Sequence, residues 1–83
     1  MLANEARKIA SEKIWNSLPR IIRYNIEDAI NEGRLNCEIT FNDDKLDKAN
    51  FDDCIGYFNN LNELGYQTAM YKELGKYVIA IMW

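Results

Sequence analysis

The stretch that most constrains the fold is the nineteen residues Gly65–Trp83, GYQTAMYKELGKYVIAIMW. Two runs rich in β-branched and aromatic residues, Tyr66–Tyr71 and Lys76–Trp83, flank the turn-like segment Lys72–Gly75, which is the pattern of a β-hairpin. In the second run Tyr77, Ile79, Ile81 and Trp83 fall on one face, and Val78, Ala80 and Met82 on the other. Successive side chains of a strand point to opposite faces, so this strand is apolar on both. Such a strand belongs in the middle of a sheet. The hairpin supplies only one neighbour for it. The other must come from earlier in the chain.

Leu35–Phe41 meets that need. Leu35, Cys37, Ile39 and Phe41 alternate with Asn36, Glu38 and Thr40, the signature of a strand with one buried and one wet face. Between it and the hairpin lies Asn42–Asn50, polar and turn-rich, read as a loop. It is followed by a helix over Phe51–Leu64 with Phe51, Cys54, Ile55, Phe58, Leu61 and Leu64 in one stripe. Asn50 or Asp47 suits its N-cap, and Asp52 and Asp53 suit its first turn. Gly56 falls inside it, a site for close backbone approach. Gly65 ends it, and Tyr66 follows where an apolar contact back onto the last turn is common.

Upstream, residues 3–32 are helical. Ala6, Ile9, Ala10, Ile14 and Leu18 recur at helical spacing, with Asn4 as a candidate N-cap. Pro19 is tolerated only in a first turn, so the segment is two helices jointed near Leu18 or one helix kinked at Pro19, the joint being preferred. Ser17 then caps the second segment, Ile22, Ile26, Ala29 and Ile30 form its apolar face, and Gly33 closes it. The expected architecture is a single α+β domain, 1–83. A helical segment, 1–33, precedes a βαββ unit, 34–83, with helices on one face of a three-stranded sheet of order 1-3-2.

Composition narrows the function classes. Net charge is −3, from 10 basic and 13 acidic residues, too mild for either a nucleic-acid binder or a nucleic-acid mimic. No apolar run reaches the roughly 18 residues of a membrane span, and charges stand where a signal peptide has its apolar core; the expectation is a cytoplasmic protein. There is no histidine, so the commonest general base and metal ligand are missing. Cys37 and Cys54 lack the spacing of a structural zinc site and read as small buried apolar residues. The four glycines are scattered singly, with no phosphate-binding loop among them.

Two weaker signals have simple explanations. Asn42, Asp44 and Asp47 are spaced like the start of a calcium loop, but Leu46 takes a ligand position and the central glycine is missing. Arg20, Arg23 and Arg34, with Lys13 and Trp15 nearby, form a basic cluster. Glu27, Asp28 and Glu32 lie at helical spacing to pair with it. No catalytic, cofactor or metal residues are therefore assigned.

The informative face is that of Val78, Ala80 and Met82, with Tyr71 and Ala69 beside it. Either the N-terminal helix wraps round to bury it, or it is a contact surface, as exposed apolar patches generally are. The contact residues expected are Val78, Ala80, Met82 and Tyr71 on the sheet, with Ile14, Trp15 and Leu18 at the helix joint.

Ile26-x-x-Ala29-Ile30-x-x-Gly33, an alternating strand with Cys37-x-Ile39, a helix ending Leu61-x-x-Leu64-Gly65-Tyr66, and a closing Ile81-x-Trp83 together resemble a pattern of small tailed-bacteriophage accessory or virion-associated proteins. The resemblance spans residues 26–83. It departs in residues 1–20 and in the long acidic connection before the helix. It implies a phage or prophage protein without enzymatic activity, working in the host cytoplasm or in the virion. Such a protein binds other proteins, as an inhibitor of a host defence or polymerase factor or as a self-associating assembly component. The alternative it implies is an oligomeric sponge for a small molecule or nucleotide.

Overall fold

The computed structural model describes residues 3–42 and 45–83, and of residues 45 and 46 the backbone alone. The element order is α1 (Ala3–Ser17), α2 (Arg20–Asn31), β1 (Asn36–Asn42), α3 (Lys45–Gly56), α4 (Phe58–Glu63), β2 (Gln67–Glu73) and β3 (Lys76–Met82). The fold is α+β, with a sheet of order β1-β3-β2 in which β3 runs antiparallel to both neighbours.

β3 pairs along its whole length on both sides. Ile79 stands between Ile39 and Met70, and Ala80 between Glu38 and Ala69. Directly paired residues share a face, so Cys37, Ile39 and Phe41 of β1 join Tyr77, Ile79 and Ile81 of β3 on one side. Onto that side pack Ile22, Ile26 and Ala29 from α2, Phe51 and Cys54 from α3, and Leu61 from α4. Phe51 links the layers, stacking edge-on to Phe41 at 5.8 Å and lying 4.6 Å from the ring of Tyr77.

The two helix C-termini next to the sheet close in the same way. The Arg34 N–H donates to the Ala29 carbonyl and the Gly33 N–H to Ile30, both at 2.9 Å, with Gly33 at φ 76°. Tyr66 and Gly65 repeat the pattern onto Leu61 and Asn62 at 3.0 Å. This paired closure satisfies otherwise orphaned carbonyls and needs a left-handed residue, as the glycines predict.

Several expectations are corrected. Ser17 does not cap α2: its hydroxyl donates back to the Ile14 carbonyl at 2.7 Å, and Pro19 holds the cap position with no side-chain bond. Asn4 lies inside α1. The helix expected from Phe51 begins at Lys45, and it breaks at Tyr57 into α3 and α4. Asp47 sits in the first turn of α3, where its carboxylate accepts the Asn42 N–H at 2.8 Å. Leu35 lies before β1 with its side chain 70% exposed, although its carbonyl accepts the Trp83 N–H at 3.0 Å. Ile30 is half exposed. The hairpin turn is shorter than expected, only Leu74 and Gly75, both at positive φ (50° and 77°). That is the two-residue turn whose twist matches its strands.

α1 has no buried residue and is absent from the main packing of the sheet, which involves α2, α3 and α4. It projects, giving extents of 49 × 26 × 17 Å and a radius of gyration of 13.9 Å. A compact chain of this length has about 12 Å.

Gly56 ends α3 without positive φ, and a Cβ built there meets nothing within 4 Å, so the close approach expected from sequence is absent. Gly56→Ala is therefore expected to stabilise the fold by about 0.5–1 kcal/mol, by narrowing the unfolded ensemble. A urea titration reads this as a higher midpoint at unchanged slope.

Candidate functional site

The groups with intrinsic reactivity are withdrawn into the core. Cys37 and Cys54 are 2% and 0% exposed and both are free thiols. Burial pushes the Cys54 thiol up to about 11, with the charge of Asp53 adding to it. Cys37 is raised by burial too, against a lowering by Arg34. Neither thiol is poised as a nucleophile, which requires a lowered pKa and access. Among the described residues no three acidic or cysteine side chains are grouped to hold a metal ion. Asp44, which entered the calcium-loop comparison, lies outside the described residues. No helix among the described residues is long and apolar enough to cross a membrane.

The sheet face opposite the helices carries the candidate surface. The register places Gln67, Ala69, Tyr71 and Glu73 of β2 beside Met82, Ala80, Val78 and Lys76 of β3, and these beside Asn36, Glu38, Thr40 and Asn42 of β1. Among the described residues no helix packs on this face. Tyr71, Val78, Ala80 and Met82 are thus brought together as the sequence predicts, but they are not equally open. The Tyr71 hydroxyl donates to the Glu38 carboxylate at 3.2 Å, and the register puts β3 between the two. The ring thus forms a strap over the strand, and the alanine at position 80 leaves room for it. Val78 is 5% exposed, whereas Met82 and Tyr71 are 37% and 41% exposed. Desolvation, the bond to Glu38 and the charges of Glu38 and Glu73 together raise the Tyr71 phenol above its ordinary value. Sequence reasoning passed over Glu38 as one polar residue of a wet face. Only the 1-3-2 order places it across from Tyr71.

The helix-joint residues form a separate patch on the helix side of the sheet. Trp15 and Leu64 line a groove of about 440 Å³ with Ser11, Glu12 and Asn16, in the angle between α1 and the end of α4. Ile14 is half-buried. Leu18 leaves the set of contact residues: at 2% exposure it is a core residue, turned inward by the joint at Pro19.

The basic cluster is only partly neutralised. Arg34 pairs with Glu32 at 2.8 Å, and among the described residues Arg20 and Arg23 form no ion pair with Glu27 or Asp28. With Tyr24 and Glu27 they line a depression of about 310 Å³, where the buried Arg23 Nε has no hydrogen-bond partner.

Compared with known proteins, the chain matches no family model, no curated protein and no solved structure.

The buried Cys54 thiol makes stability sensitive to alkali. The unfolded thiol loses its proton near pH 9 and the folded one near pH 11. The folded state therefore keeps a proton that the unfolded chain gives up, and stability, complete below pH 9, falls as the pH rises toward 11. The loss is up to about 3 kcal/mol. The urea midpoint is expected to drop between pH 9 and about 11, and Cys54→Ala to flatten that slope.

Proposed function

We propose that this chain is a non-enzymatic accessory protein of bacteriophage type that acts by protein–protein binding. Two modes fit the reading: inhibition of a host defence or polymerase factor, and self-association as a virion or assembly component. The single observation that carries it is the open sheet face, where Tyr71, Ala80 and Met82 lie together and, among the described residues, no helix packs. The alternative in which α1 folds over that face is disfavoured by α1 projecting from the body. The phage-type assignment rests on the resemblance carried by residues 26–83. The buried thiols and raised thiol pKa values support the absence of catalysis.

The oligomeric nucleotide sponge is a second reading, favoured by the unpartnered Arg23 Nε beside Arg20. A phosphate-bearing ligand bound there is expected to raise the melting temperature of the isolated chain by mass action, whereas a chain that binds only proteins gains nothing from that ligand.

Ala80→Asp and Met82→Lys test the main reading. Each places a charge on the open face without entering the helix-side core. The expected outcome is an unchanged far-UV circular dichroism spectrum, with loss of the assembly or heterologous complex seen by light scattering. Unfolding of both variants would show the face to be core and sink the reading.

A further inference from the structure

The two edges of the sheet are not finished alike. On the helix side, Cys37, Ile39 and Phe41 of β1 are 2–4% exposed, because α2 and α3 pack over that edge. On the same side, Met70 of β2 is 55% exposed and Thr68 is half-buried. The helix layer is offset toward β1; α4 packs on part of β2, and Met70 is left open. A depression of about 210 Å³ lies under it, lined by Phe51, Met70, Tyr71, Lys72 and Tyr77. A seven-residue edge strand without proline is a template for another strand.

The hairpin determines which backbone groups that template offers. A two-residue turn closes on a hydrogen-bonded pair, here Glu73 and Lys76, and such pairs alternate along an antiparallel ladder. Tyr71, Ala69 and Gln67 therefore turn their backbone groups toward β3. Thr68, Met70 and Lys72 turn theirs outward, with Met70 at the centre.

From this we infer that β2 pairs antiparallel with β2 of a second copy, about a two-fold axis at Met70, to form a continuous six-stranded sheet. The inference rests on the protein-binding reading above and names a partner and an edge for it. The sequence of the strand, QTAMYKE, is complementary to itself in this register. Met70 faces Met70, Ala69 faces Tyr71, Thr68 faces Lys72 and Gln67 faces Glu73, so no like charges meet. Axes at the other outward residues fail: at Lys72 two ammonium groups oppose each other, and at Thr68 only three residues of each strand overlap. The second copy's Met70 stands over the apolar depression and covers its neighbour's exposed side chain. One edge strand buries less than the roughly 1,200 Å² of a standard interface, so dissociation in the micromolar range is expected.

Sedimentation velocity of the full chain from roughly 5 to 200 µM tests this, a span set by that affinity. Wild type is expected to pass from monomer to dimer. Met70→Lys and Met70→Glu, which put like charges across the axis, are each expected to remain monomeric with wild-type circular dichroism. An equimolar mixture of the two is expected to recover the dimer. Met70→Pro keeps the fold, since it removes only an outward N–H, and is expected to abolish dimerisation. A wild-type monomer at every concentration overturns the pairing, and heterologous binding sensitive to Met82→Lys would leave the broader reading standing. A dimer indifferent to Met70→Lys and Met70→Pro but broken by Met82→Lys also overturns it, assigning self-association to the open face instead.

Discussion

β3 is hydrogen-bonded on both edges and apolar on both faces, and the other elements are placed by it. Its helix-side row, Tyr77, Ile79 and Ile81, must be removed from water, which requires the layer made by α2, α3 and α4. Its edges require two neighbours, so β1 must be brought from before α3 to the far side of β3 from β2. β1 and β2 then run parallel with a strand between them. The opposite row of β3 is met differently, by a strand-to-strand strap of Tyr71 onto Glu38 that shields Val78 and leaves Met82 open. One strand thus has a dry face and a half-covered one, and the asymmetry defines both candidate surfaces.

Much of this was legible from residue periodicity. The both-sided apolar pattern of Lys76–Trp83 forces a central position, and alternation in residues 35–41 supplies the neighbour; together they yield the order 1-3-2. Gly33 and Gly65 mark their helix ends because the closing bonds require left-handed backbone. The start of α3 was not legible, since the sequence of Lys45–Asn50 is largely polar and has no apolar stripe to mark a helix. The break at Tyr57 was equally hidden, because Phe58 and Leu61 continue the stripe across it.

The site was legible in outline and not in detail. Alternation puts Tyr71, Ala80 and Met82 on one face, but it cannot say that a tyrosine ring reaches over β3 to a carboxylate and protects Val78. Nor can it say how far a helix layer extends: Met70 has the parity of a core residue and is more than half exposed, because α4 stops short of it. Leu18 shows the converse. Next to a proline joint it reads as surface, and the chain's change of direction there carries it into the core.

The projecting α1 has a consequence for how the molecule holds together. A helix of 15 residues that meets the core only near its last turn, through Trp15, is marginal in water, since its few hydrogen bonds barely offset the cost of nucleation. Its amide protons are thus expected to exchange through local fraying, while those of β3 exchange only through global opening. The chain is in that sense two bodies of different permanence joined at Leu18 and Pro19. The sheet and its three helices share one buried core, and α1, which reaches that core only through Trp15, is the segment whose order is most readily changed by whatever it touches.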